Sequence, residues 1–206
     1  MSLLHTASFY ISSQRTNQLP PESEPEICFL GRSNVGKSTA INIITNQKRL
    51  AFSSKTPGRT RLINMFSLKK NENIFGYLVD IPGYGYSTLS TKEQKDIGIT
   101  ITDYIKNRKS IESFVLLLDV RRGITSLDLQ LINLINPLNK PLVILITKTD
   151  KLNYEKRIKT KNHIEKQLES FNNIKTIINF SAKQKTGVSE LSDYIERLIL
   201  FKKDRI

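Results

Sequence analysis

The chain has 206 residues, 38% hydrophobic and 25% charged, which suits one globular domain with its own core. No apolar run approaches the roughly 18 residues of a membrane span, and the single cysteine, Cys28, excludes an intramolecular disulfide. Thirty-two Lys and Arg against nineteen Asp and Glu give a net charge of +13, a field that draws polyanions such as nucleic acid, although lysine-rich composition also serves solubility alone.

The N-terminus lacks the charged start, apolar block and cleavage site of a signal peptide, so the expected compartment is the cytoplasm. His5 and His163 are isolated from each other and from any Cys or carboxylate cluster, which argues against a histidine metal site. Cys28 lies in the apolar run Ile27-Cys28-Phe29-Leu30 and reads as a buried small hydrophobe.

In chain order, residues 1–25 form a polar lead-in, with Ala7 to Ile11 able to add an edge strand. Ile27–Leu30 is a buried strand and Lys37–Asn46 a helix, followed by a polar connection over 48–60. Arg61–Leu68 and Ile74–Val79 pair as a hairpin across the polar turn 69–73. Lys92–Arg108 is helical, Phe114–Leu118 a doubly buried strand, and Leu127–Ile135 a helix. Leu142–Ile146 is another buried strand, Glu155–Phe171 a long helix, Ile174–Asn179 the last strand and Val188–Phe201 the closing helix. Alternation of strand and helix predicts a single α/β domain over 26–206, a doubly wound, mostly parallel six-stranded sheet with one antiparallel strand and helices on both faces.

Gly31-Arg32-Ser33-Asn34-Val35-Gly36-Lys37-Ser38 matches GxxxxGK[ST] in full, between an apolar strand and a helix. The glycines let backbone N–H groups curl around phosphate oxygens at the positive end of the helix. Lys37 is placed to reach the β- and γ-phosphates and Ser38 to ligate Mg2+. Asp80-Ile81-Pro82-Gly83 follows an apolar strand; its acid can hold a Mg2+ shell through water, and the Gly83 amide can sense a γ-phosphate.

Thr147-Lys148-Thr149-Asp150 ends a further strand, where a carboxylate accepts two hydrogen bonds from guanine N1–H and the exocyclic amine. Adenine would leave that acceptor unpaired. Lys148 can cover the base with its stem, and Ser181-Ala182-Lys183 would bring the Ala182 amide to guanine O6. In the 48–60 connection, Thr56 and Thr60 compete to complete the Mg2+ shell, and spacing does not choose between them.

Together GRSNVGKST at 31–39, SKTPGRTRLIN at 54–64, DIPGYGY at 80–86, TKTD at 147–150 and SAK at 181–183 resemble the EngB family of bacterial ribosome-biogenesis P-loop GTPases. The resemblance runs from about Leu19 to the C-terminus. It implies GTP hydrolysis with Mg2+ held by Ser38, Thr60 and, through water, Asp80, and it selects Thr60 over Thr56. Lys37, Thr60 and Gly83 are the residues carried over as catalytic.

Nucleotide contacts follow at Gly31, Arg32, Ser33, Asn34, Val35, Gly36, Lys37, Ser38 and Thr39, and at Gly58, Arg59, Thr60, Arg61 and Leu62. Further contacts are Asp80, Ile81, Pro82 and Gly83, then Thr147, Lys148, Thr149 and Asp150, and finally Phe180, Ser181, Ala182 and Lys183. The family also implies a monomer that binds the large ribosomal subunit or its precursor, with a link to cell division and septation.

Three expectations concern chemistry. Ras-like enzymes carry glutamine where this chain has Tyr84, so intrinsic turnover is expected to be slow and partner-stimulated. Asn34 either caps the loop or holds K+ near the phosphates. Arg121, Arg122 and the lysines at 156, 159, 161 and 166 are RNA contacts or a solvated helix face.

Overall fold

A computed structural model describes residues 2–51, 62–85 and 89–203. The switch-segment residues Thr56, Gly58, Arg59, Thr60 and Arg61 lie outside the described residues. Strands β1 (Ser8–Ser13), β2 (Glu26–Gly31), β3 (Ile63–Lys70), β4 (Asn73–Asp80), β5 (Ile111–Asp119), β6 (Leu142–Thr147) and β7 (Ile174–Asn179) form one sheet in the order β1-β3-β4-β2-β5-β6-β7. Helices are α1 (Lys37–Ile44), α2 (Thr91–Asn107), α3 (Ser126–Ile135), α4 (Tyr154–Leu168) and α5 (Val188–Lys203).

The sheet has seven strands rather than six. Ser8–Ser13 pairs antiparallel with β3, and Leu3, Leu4 and Ala7 are buried with it, so the lead-in joins the sheet and core. The edge strand read as possible over Ala7 to Ile11 is therefore real, two residues longer at its end, and is the seventh strand that the count of six left out. β3 alone runs against the others. The hairpin strands reach Lys70 and Asn73, so the expected five-residue turn shrinks to Asn71-Glu72, both with positive φ (50° and 63°). That geometry matches the twist of the flanking strands.

The central strands β2 and β6 are buried along their whole length, which demands apolar residues on both faces. One face packs Ile97, Ile101, Tyr104 and Ile105 of α2, Leu131, Ile132 and Ile135 of α3, and Ile164 and Leu168 of α4. The other packs Ile41 and Ile44 of α1 with Leu191, Ile195 and Ile199 of α5. Cys28 is fully buried between these layers, and burial pushes its thiol pKa up.

Caps fix where helices begin. Ser90 and Glu93 exchange hydrogen bonds at the start of α2, and the Asn153 side chain accepts from the Lys156 amide at the start of α4. Because β4, β2, β5, β6 and β7 are mutually parallel, their carboxyl ends share one edge of the sheet. β4 and β5 flank β2 there, so the chain leaves β2 to both sides and opens a crevice.

Candidate functional site

The crevice is built on the loop from Gly31 to Lys37. Gly36 adopts φ +112° and Asn34 φ +59°, which turn successive amides inward before α1 begins. Asparagine tolerates the left-handed conformation better than most residues, so backbone geometry alone is a reason for Asn34. The first-turn amides of α1 have no intrahelical acceptor and are available to an anion.

Lys37 and Ser38 are buried at the head of α1, and both meet Asp80 at the end of β4. Lys37 Nζ is 3.8 Å from Asp80 Oδ1, and Ser38 Oγ donates to Asp80 Oδ2 at 3.1 Å. Asp80 Oδ1 is buried with no hydrogen-bond partner. Burial raises the Asp80 pKa, opposed by Lys37 and by the Ser38 hydroxyl. A buried carboxylate oxygen without a partner is costly unless another group completes it.

Gly83 packs against the phosphate loop so closely that a Cβ there would lie 3.0 Å from Ser33 N and Cα. The Ser33 amide donates to the Tyr84 carbonyl at 2.9 Å, stitching the two loops. The Tyr84 side chain turns away: its phenol donates to Asp128 Oδ1 at 2.6 Å, and burial beside that carboxylate holds its pKa above the ordinary tyrosine value. The other Asp128 oxygen accepts from the Thr125 amide and hydroxyl, capping α3.

The base side is built from the ends of β6 and β7. Thr147 Oγ1 is shared between the carbonyls of Val35 (2.9 Å) and Leu118 (3.1 Å), so a hydroxyl ties β6 to the phosphate loop and to β5. Lys148, at φ +60°, sends its ammonium to the Asn34 carbonyl (2.8 Å) and to Asp119 Oδ2 (2.9 Å), laying its stem across the crevice. Thr149 is anchored by its amide and hydroxyl to the Phe180 carbonyl. Asp150 Oδ1 accepts from Ser181 Oγ at 2.7 Å, and that bond lowers the Asp150 pKa. The Ser181 oxygen also receives the Gln184 amide, closing the loop that holds Ala182 and Lys183.

The structure therefore brings together the described residues singled out from the phosphate loop, the Asp80–Gly83 loop, the Thr147–Asp150 turn and the Ser181–Lys183 loop. Sequence reasoning missed Asp119 and Asp128. Asp119 is 7% exposed and clamps both Lys148 and Arg121, whose hydrogen bonds and charge hold its pKa well below the usual carboxylate range despite burial. A signal for it exists, since Asp119 ends an apolar strand on the same edge as Asp80. Arg121 and Arg122, with Arg32 and Lys148, line a cavity of about 350 Å3 beside the phosphate loop. Arg121 is committed to Asp119 there.

A phosphate loop, an acid at the neighbouring strand end and a base-side carboxylate held by the next loop define a P-loop protein of the GTPase class. A family model described as a 50S ribosome-binding GTPase matches residues 26–148. A probable GTP-binding protein EngB of Bordetella pertussis is 48% identical over 203 residues, covering 97% of each chain. One from Paraburkholderia phytofirmans is 39% identical over 203 residues, covering 96% of this chain and 94% of its own.

Among solved structures, a probable GTP-binding protein engB matches with a TM-score of 0.68 at 26% identity, over 84% of this chain and 98% of that one. Era, solved with MgGDPNP and nucleotides 1506–1542 of 16S ribosomal RNA, matches with a TM-score of 0.66 at 22% identity, over 84% of this chain and 56% of that one, a likeness of fold. The chain belongs to the EngB family of P-loop GTPases.

Proposed function

We propose that the protein is a Mg2+-dependent GTP switch that associates with the large ribosomal subunit or its precursor in the GTP state and leaves after hydrolysis. The observation that carries the switch is the buried Lys37–Ser38–Asp80 group, whose one unpartnered oxygen and facing hydroxyl suit a hard cation with oxygen ligands. Ser38 and, through water, Asp80 would hold Mg2+, with Thr60 as the carried-over third ligand. The ion, when bound, supplies charge neutralisation at the transferring phosphoryl group.

Lys37 then holds the outer phosphates, and Gly83, packed against the phosphate loop, would feel a γ-phosphate through its amide. Asp150, pinned by Ser181, selects guanine. Tyr84 is bound to Asp128 and offers no base, so intrinsic hydrolysis is slow and the ribosomal particle accelerates it. The same Tyr84 contact favours a second reading, a nucleotide-gated RNA-binding module without turnover. Single-turnover hydrolysis with and without large subunits separates the two, and repeating it in K+ and Na+ at equal ionic strength tests whether Asn34 holds K+.

Support for the ribosomal partner comes from the family and from the +13 charge. The test is sucrose-gradient sedimentation with ribosomal subunits, in GDP and in a non-hydrolysable GTP analogue at fixed salt. Co-migration with the large subunit in the analogue alone is expected; equal binding in both nucleotides would overturn the gating. The part in division and septation is proposed as a consequence of subunit supply, acting from the cytoplasm as a monomer. Among the described residues no helix is long and apolar enough to cross a membrane.

A further inference from the structure

The cavity of about 350 Å3 beside the phosphate loop has walls from three places: that loop at Arg32–Val35, the end of β5 with the turn after it, and Gly85. Lys37, Ser38, Asp80 and Asp150 do not line it, so it is separate from the places assigned to the outer phosphates, the metal and the edge of the base.

Its charge follows from local structure. β5 ends at Asp119, whose carbonyl accepts the Arg122 amide (2.9 Å) and the Gly123 amide (3.1 Å), and Gly123 takes φ +62° in that turn. The turn sets Arg121 and Arg122 at the cavity, and Arg32 reaches it from the phosphate loop. Gly85 locates the Arg32 guanidinium, since a Cβ built there would lie 3.5 Å from both Arg32 Nε and Arg32 Nη2.

Four cations line the space, Arg32, Arg121, Arg122 and Lys148, against the two carboxylates Asp119 and Asp128, which leaves two positive charges in excess. Arg121 and Lys148 both serve Asp119, at 2.7 and 2.9 Å, and Asp128 accepts from Tyr84 and Thr125. Among the described residues, Arg32 and Arg122 have neither an ion pair nor a side-chain hydrogen bond. Each guanidinium offers paired N–H donors and keeps its charge at any working pH, which suits a tetrahedral oxyanion.

We propose that this cavity is a second anion site, holding a phosphate dianion, free or as a monoester, between Arg32 and Arg122. The excess of two positive charges balances such a dianion. GTP hydrolysis frees one a single residue away, because Ser33 lines the cavity and also packs against Gly83. Gly85 in the wall continues the Asp80–Gly83 loop, so the site and the nucleotide touch the same short segment.

The experiment follows the arginine side-chain Nε–H resonances of the 15N-arginine-labelled full chain, saturated with GDP and Mg2+. The titrants are inorganic phosphate, methyl phosphate, dimethyl phosphate and chloride, at equal ionic strength and about pH 8, where phosphate and its monoester are dianions. The resonances that Arg32→Gln and Arg122→Gln remove are expected to shift saturably with the two dianions. Arg122→Gln should weaken phosphate about tenfold, as for the loss of a charge-assisted fork, with GDP affinity unchanged. Lys156→Gln removes the same charge from an exposed position on α4 and should leave phosphate affinity as it was.

Tighter binding of inorganic phosphate than of methyl phosphate supports the site and assigns it to the product of hydrolysis; the reverse order supports it and assigns it to a phosphorylated ligand. Equal response to chloride would mean a general positive field and would overturn the site, and equal response to dimethyl phosphate would reduce it to contact with an RNA backbone, overturning it too. Phosphate affinity unchanged in Arg122→Gln would put the ion at the open end of GDP instead. An equal loss in Lys156→Gln would leave only net charge, and the site would fall.

Discussion

Two buried carboxylates on adjacent strands, Glu26 at the start of β2 and Asp80 at the end of β4, sit at opposite edges of the same sheet. Glu26 is fully buried and fully served. Its Oε1 accepts from Arg108 Nε (2.8 Å), Arg108 Nη2 (2.6 Å) and Ser110 Oγ (2.8 Å), and its Oε2 from the Tyr104 phenol. Asp80 is nearly as buried, yet one oxygen has no partner. A satisfied buried carboxylate fastens the end of α2 to β2, whereas an unsatisfied one holds a place for something that the chain does not itself supply.

The largest expected effect comes from disrupting the satisfied side. Glu26→Gln leaves the Arg108 guanidinium buried without a counter-charge and should cost about 3–5 kcal/mol in urea unfolding, with nucleotide affinity of the folded fraction unchanged. A loss under ~1 kcal/mol would mean that water reaches Arg108. Next comes the base side. Asp150→Asn should remove about 3 kcal/mol of GDP binding and shift preference to xanthine nucleotides, measured by competition. Retained guanine preference would show that the Ala182 loop alone selects the base.

Asp80→Asn tests the contrast from the unsatisfied side. Stability should change little, because relief of Asp80 burial is offset by leaving the buried Lys37 ammonium without its partner 3.8 Å away, while Mg2+ affinity of the nucleotide complex falls about 10–100-fold. The pH dependence has a definite sign. Burial raises the folded pKa of Asp80 above its ordinary value, so in the nucleotide-free protein this group opposes folding when ionised. Its contribution to stability therefore improves as pH falls through the raised value towards the ordinary one, and Asp80→Asn should erase that component of the unfolding profile. A wild-type profile unaltered by the substitution would contradict the assignment. The smallest effect is Tyr84→Phe, about 1–2 kcal/mol in stability for the missing bond to Asp128. Basal GTP hydrolysis should stay the same, and a fall in basal rate would make the phenol part of the chemistry.

Much of this site could be read from residue order because phosphate loops are local. Gly31–Ser38, Asp80–Gly83 and Thr147–Asp150 each lie at a strand end, and the apolar runs before them announce those strands. Partners far apart in sequence were not readable. Thr147 and Val35, or Tyr84 and Asp128, are joined only because β4 and β5 flank β2 in the sheet and β6 lies next beyond β5. β1 escaped full recognition for a related reason, since its strand character comes from pairing with β3 rather than from its own periodicity.

Residue order and composition were enough to set the succession of strands and helices, the phosphate loop, the acid Asp150 proposed to select guanine and the excess of positive charge, all of which depend on near neighbours or on totals. Folding in three dimensions was needed to turn Tyr84 towards α3, to join Asp119 to Lys148, and to leave one oxygen of Asp80 without a hydrogen bond while both of Glu26 are served. Those outcomes depend on which side chains meet after distant strands pair, and on the low dielectric that makes an unmet carboxylate costly.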